Sequence, residues 1–191
     1  MSAIGRGAGF LGMLLASLAG RGGRARGGGP PLDWRQMPLP TLDGGQLDPA
    51  ALEDRVVLLV NTASRCGFTP QYRGLQTLWR AHRAAGLAVL GVPSNHFPRQ
   101  EPGDAAAIRR FCDQRYGVDF PRLARQRVVG PGAPPPYVWA AAAGGKAAIP
   151  RWNFHKLLIG RDGRLLAAFT PPLPPASRRL AVALDAALRR R

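Results

Sequence analysis

Cys66 stands in Asn61-Thr62-Ala63-Ser64-Arg65-Cys66-Gly67-Phe68-Thr69-Pro70-Gln71-Tyr72. An apolar run, Val56 to Val60, leads into it, and Thr69-Pro70 follows as an N-cap with proline at the first helical position. A buried strand, a short turn and a helix start make a place where the macrodipole and unpaired N–H groups favour negative charge. The sequence therefore predicts a lowered thiol pKa and a nucleophilic thiolate. Cys66-Gly67-Phe68-Thr69 has the shape of a C-x-x-C redox turn whose second cysteine is Thr, with Gly67 read as permitting the bend. The other cysteine, Cys112, shares an apolar helical stripe with Ile108 and Phe111, and periodicity alone makes it a core residue.

The elements that must position these groups follow from apolar periodicity. Val56 to Ala63 and Leu87 to Val92 are continuous apolar runs, as buried central strands are. Tyr72, Leu75, Leu78 and Trp79 predict an amphipathic helix over 70–85 that ends before Gly86. Asp104 caps a second helix that Gly117 stops, and Ser177 opens a last one with Leu180, Leu184 and Leu188 on one face. Gly160-Arg161-Asp162-Gly163 reads as the turn of a hairpin within 154–169, and Leu42-Asp43-Gly44-Gly45 as the turn of an N-terminal hairpin. Residues 125–150 are rich in Gly and Pro and read as mostly loop. The result is an α/β fold of the thioredoxin-like kind, a central mixed β-sheet flanked by helices with an N-terminal β-hairpin.

Composition narrows the function classes. The 191 residues suit one domain with an extension. Residues 1–32 form a signal-like or flexible basic Gly/Arg-rich extension and 33–191 the folded domain. Gly7 to Gly20 is apolar but too short to span a membrane, and Ser17-Leu18-Ala19 has the form of a signal-peptidase site. Arg21, Arg24 and Arg26 directly after it oppose export. A cytoplasmic location and a periplasmic or secreted one, reached by cleavage after about the first 19 residues, both stay open. Net charge is +16, nearly all of it arginine, without the interleaved aromatics of a nucleic-acid platform, so no nucleic-acid partner is expected. His82, His96 and His155 are dispersed and the cysteines number two, so neither a zinc site nor a disulfide scaffold is expected.

Three blocks carry a family resemblance. The Cys66 block, Val92-Pro93-Ser94-Asn95-His96-Phe97-Pro98-Arg99-Gln100-Glu101-Pro102-Gly103, and Trp152-Asn153-Phe154-His155-Lys156-Leu157-Leu158-Ile159 resemble, in order, the three signatures of the glutathione peroxidase family. The resemblance covers roughly residues 33–190. It implies a thiol peroxidase, an antioxidant oxidoreductase of the oxidative stress response that reduces hydrogen peroxide and organic hydroperoxides. Cys66 aligns with the peroxidatic position and Gln100, Trp152 and Asn153 with its three polar partners. Their amide and indole N–H groups suit a thiolate and a developing oxyanion. Ser94 stands where the family often has cysteine, and His96 where it has glutamine with no essential role. Phe111-Cys112-Asp113-Gln114-Arg115-Tyr116-Gly117-Val118-Asp119-Phe120-Pro121 is similar to the segment holding the resolving cysteine of the thioredoxin-dependent, cysteine-containing branch of bacterial type. That similarity implies a Cys66–Cys112 disulfide, which requires the helix around Cys112 to unwind.

The resemblance implies no bound cofactor, a thiol co-substrate (thioredoxin or glutathione), and a monomer, because the segment between Tyr137 and Trp152 is short. A glutathione-dependent one-cysteine peroxidase and a thiol redox sensor or relay stand as alternative readings.

Overall fold

A computed structural model describes residues 29–190. The signal-like stretch, the Gly22–Gly28 part of the linker and Arg191 lie outside the described residues.

β1 (Val56–Thr62) is buried along its whole length because both its faces are covered. Val56, Leu58 and Val60 enter one core and Val57 and Leu59 the other, the alternation a pleated strand imposes. β1 pairs in parallel with β2 (Leu87–Pro93), from Val56 opposite Leu87 to Thr62 opposite Pro93. On its other edge it pairs antiparallel with β3 (Lys156–Ile159), which pairs antiparallel with β4 (Leu165–Phe169). The four-stranded sheet thus runs β2-β1-β3-β4. One consequence positions the chemistry. The C-terminal ends of β1 and β2 and the N-terminal end of β3 meet at the same edge of the sheet.

Helices α1 (Gln71–His82), α2 (Ala105–Tyr116) and α4 (Arg178–Arg189) cover one face through Tyr72, Leu75, Ile108, Cys112, Leu180 and Leu184. Each buried leucine contributes roughly 1.5–3 kcal/mol by the usual area relation. Caps follow the sequence at two of these helices. The Asp104 carboxylate accepts from Ala107 N at 2.7 Å, and the Ser177 hydroxyl from Leu180 N at 3.3 Å. Gly117 ends α2 at φ 59°, a left-handed conformation glycine takes freely.

Three expectations need correction. Residues 135–144 are not loop but helix α3 (Pro135–Gly144), whose Tyr137 and Ala140 enter the second core with Trp34 and Leu39. Pro135 and Pro136 occupy its first turn, where a missing N–H costs nothing, and a run of alanines continues it. The N-terminal hairpin shrinks to a single bridge, Pro40 to Gln46, closed by Thr41 N to Gly45 O at 2.9 Å. Pro38 and Pro40 cannot donate to a longer ladder, and Thr41 instead bridges to Leu123. The third correction concerns Thr69, which does not cap α1: the residue preceding that helix is Pro70, with no side-chain cap bond.

Lys156 is fully buried on β3, and its ammonium donates to Phe154 O at 2.8 Å. Burial lowers its pKa to about 7. The unfolded lysine titrates near 10.5, so the unfolded chain binds more protons above pH 7 and stability rises with pH there. Wild type is expected to gain on Lys156→Met by up to about 1.4 kcal/mol per unit as pH rises from about 7 to 8.5. Urea unfolding midpoints of the two proteins read this directly. A difference that stays flat with pH sinks the assignment of a neutral buried lysine.

Candidate active site

Cys66 sits four residues beyond the end of β1, in a turn held by Thr69. The Thr69 hydroxyl donates to Ala63 O at 2.9 Å and accepts from Cys66 N at 3.0 Å, while Thr69 N donates to Cys66 O at 3.0 Å. Thr69 therefore knits the turn that presents the thiol. Gly67 does not take a positive φ, so the bend does not depend on glycine's left-handed freedom.

Around the Sγ the donors converge. Phe68 N donates to it at 3.4 Å, and the side chains of Trp152 and Asn153 also hold its pKa down. Asn153, itself buried, donates its Nδ2–H to Gln100 Oε1 at 2.9 Å. Gln100 is thus tied to the thiol through Asn153, and its main-chain carbonyl accepts from Arg65 N at 2.9 Å. All four sequence-predicted residues come together at the sheet edge described above.

The thiol's pKa departs from expectation. Burial raises it above the ordinary cysteine value, and Phe68, Trp152 and Asn153 only partly offset that. Cys66 is just 7% exposed, and α1 begins five residues later; the main-chain N–H bonded to the sulfur is that of Phe68 in the turn, ahead of the helix. In this state the proton stays on sulfur, and the donors stabilise the anion once it leaves.

Several positioning residues escaped the sequence reading. Asn61, the last polar group but one of β1, donates Nδ2–H to Trp152 O at 3.0 Å and accepts His155 N on Oδ1 at 3.1 Å. It latches the Trp152–His155 turn to the strand that carries Cys66. Asn95 Oδ1 accepts from Glu101 N at 2.9 Å and closes the Gln100 loop. Phe97 stacks on Trp152 with ring centroids 6.2 Å apart. Arg99 and Phe154, next to Gln100 and Asn153, hold φ of 53° and 67°. Such non-glycine conformations persist where surrounding bonds over-determine them, as they do at reactive sites. A polar residue inside an apolar run was the available signal for Asn61; the other four carried no such signal.

The remaining named residues sort clearly. Ser94 is buried, donating its main-chain N–H to Thr62 O at 2.9 Å, while His96 is exposed with its ring edge-on to Phe97. Cys112 is fully buried on α2, in the same core as Cys66, and both thiols are free. The Tyr72 hydroxyl, lacking a close hydrogen bond, lies against Cys112 and Thr62. Burial raises the Cys112 pKa, opposed chiefly by Tyr72 and Arg122. Glu101 is buried beside Ser64, and burial pushes its pKa up to about 6. His155 falls to about 4, mainly by burial, and is neutral. Among the described residues no group of three or more His, Cys, Asp or Glu could hold a metal. No helix among them is long and apolar enough to cross a membrane.

The glutathione peroxidase family model matches residues 36–140. The chain belongs to the glutathione peroxidase family. Among curated proteins, this family member is 46% identical over 156 residues to the hydroperoxy fatty acid reductase Gpx2 of Synechocystis, covering 80% of this chain and 99% of that one. It is 41% identical over 139 residues to the glutathione peroxidase-like peroxiredoxin GPX5 of Chlamydomonas reinhardtii, covering 72% and 86% of the two chains. Among solved structures it resembles the crystal structure of T. cruzi GPX1, with a TM-score of 0.65 and 25% identity over 82% of this chain and 97% of that one. The glutathione peroxidase-family chain is therefore a peroxidase with the thioredoxin-like fold expected from its sequence.

Proposed function

We propose that the protein reduces hydrogen peroxide and organic hydroperoxides through Cys66, with Gln100, Trp152 and Asn153 as its polar partners and Cys112 as the resolving thiol. The observation that carries this reading is the convergence of Phe68 N–H, Trp152 and Asn153 on one sulfur, with Gln100 bonded to Asn153. The Cys66 sulfur attacks the terminal peroxide oxygen and the O–O bond breaks. The departing oxygen takes the thiol proton, giving sulfenic acid and an alcohol or water. The N–H groups stabilise negative charge on sulfur and on the departing oxygen. Cys112 then attacks the sulfenic sulfur, its proton leaves with the hydroxyl as water, and a Cys66–Cys112 disulfide forms. A dithiol protein such as thioredoxin reduces that disulfide by exchange.

The domain is proposed to comprise residues 33–191 behind an extension at 1–32. The last described residues of the extension pack onto the domain: Leu32 is buried and donates its N–H to Gly163 O at 2.9 Å, and Pro30 O accepts from Trp139 Nε1 at 2.9 Å. The names of the relatives, a hydroperoxy fatty acid reductase and a peroxiredoxin, support lipid-type hydroperoxides and a protein dithiol as substrates here. A monomer without a resident cofactor completes the proposal.

Peroxide-dependent oxidation of reduced thioredoxin and of glutathione, followed in parallel, tests the donor. Turnover with thioredoxin is expected to exceed that with glutathione at least about tenfold, because a vicinal dithiol resolves the mixed disulfide intramolecularly. Equal or faster turnover with glutathione sinks the resolving role of Cys112 and leaves a one-cysteine peroxidase.

A further inference from the structure

A groove of about 480 Å³ opens behind the Gln100 loop, lined by Asn95, His96, Arg99, Arg125, Gln126 and Arg127. No acidic side chain lines it. Arg125 is anchored, donating Nη1–H to Glu101 O at 3.1 Å and to Gly103 O at 2.9 Å. Arg99 and Arg127 are exposed, and neither has an ion-pair or hydrogen-bond partner among the described residues. The Gln126 Nε2 is shielded from solvent and likewise has no acceptor. Arg125 also faces the buried Glu101 carboxylate, which leaves the Arg99 and Arg127 guanidinium groups and the unspent amide donor as the groups short of an anion. Guanidinium forks match a carboxylate in two-point geometry.

The groove adjoins the thiol through aromatic surface. His96 packs edge-on against Phe97 at 4.8 Å, and Phe97 stacks on Trp152, a partner of Cys66. Phe97 and Trp152 are half-buried and so expose apolar area between His96 and the sulfur's partners. Charge at one end, apolar surface in the middle and a peroxide-reducing sulfur at the other describe a fatty acid carrying a mid-chain hydroperoxide. We infer that Arg99, Arg125, Arg127 and Gln126 form a subsite for the carboxylate of such an acyl hydroperoxide, with the acyl chain lying across Phe97 and Trp152. The inference rests on Cys66 being the reducing centre, and it assigns specificity rather than chemistry to the groove.

The test compares linoleic acid hydroperoxide, its methyl ester and hydrogen peroxide on the full-length protein. Wild type is expected to show a KM for the acid about tenfold below that for the ester, a preference that shrinks as salt is raised. Arg127→Gln should raise KM for the acid about tenfold, leave kcat in place and leave the ester unchanged. Hydrogen peroxide has no head group, so its rate constant reports whether the Gln100 loop survived the substitution. An independent reading is the dissociation constant of linoleate, which has no peroxide to reduce. It should weaken about tenfold in the variant. Equal KM for acid and ester in wild type overturns the subsite. So does a variant whose only defect is a raised KM for thioredoxin, which would make the groove a protein-docking surface. Loss of all peroxide reduction in wild type would instead overturn the function proposed for Cys66, and linoleate binding would still decide the groove.

Discussion

Cys66→Ser is expected to lower kcat/KM for hydrogen peroxide by at least about 10³-fold while leaving the fold in place. The substitution exchanges one atom in a turn whose bonds come from elsewhere. Thr69 still ties Ala63 O to Cys66 N, and a serine oxygen can still accept from Phe68 N. What disappears is the polarisable sulfur. A serine hydroxyl does not ionise near neutral pH and is a poor nucleophile toward an O–O bond. Trp152 and Asn153 remain, so residual activity would measure what polar donors achieve without a nucleophile. Stopped-flow peroxide consumption, with circular dichroism as the check on folding, makes the comparison. A serine variant that keeps a tenth of the wild-type rate would end the peroxidatic role of Cys66.

How the sequence exposed this site, and where it did not, has a physical reason. Cys66, Gln100, Trp152 and Asn153 lie just outside apolar runs, and those runs form the strands that pair. Once β1 and β2 are parallel and β3 antiparallel to β1, the residues flanking them share an edge. Local patterns therefore carried the long-range geometry. Properties set by the whole fold were not legible. The raised Cys66 pKa reflects how many side chains crowd the turn, which no local spacing records. Thr69 offered two uses for one hydroxyl, and the choice of Ala63 O over a helix cap depends on where the β1 exit brings that carbonyl. Helix α3 hid because prolines mark loops more often than helix starts. Arg99 and Phe97 carried no role of their own in the sequence, and it is the fold that sets them beside a cationic groove and Trp152.

Cys112→Ser separates the two halves of the proposed cycle, and it carries the second large expected effect. The variant should consume the first equivalent of peroxide at the wild-type rate, because Cys112 touches none of the donors around Cys66 sulfur. Its intact mass should then show the gain of one oxygen. Wild type should show the loss of two hydrogens, the balance left when water departs from a sulfenic acid and a thiol. Thioredoxin-supported turnover should fall at least about 10²-fold, since intramolecular capture is replaced by bimolecular attack on a buried sulfenic acid. Cys112 has no exposure on α2, and a disulfide needs its Cα within about 7 Å of that of Cys66 in compatible orientation. Its end of α2 is the part that must open, and the Gly117 cap, whose N–H bonds Asp113 O at 3.0 Å, is what has to give. The loss of two hydrogens should then follow a rate constant independent of peroxide concentration, whereas sulfenic acid formation rises in proportion to it. A Cys112→Ser protein that turns over with thioredoxin as fast as wild type would remove Cys112 from the cycle.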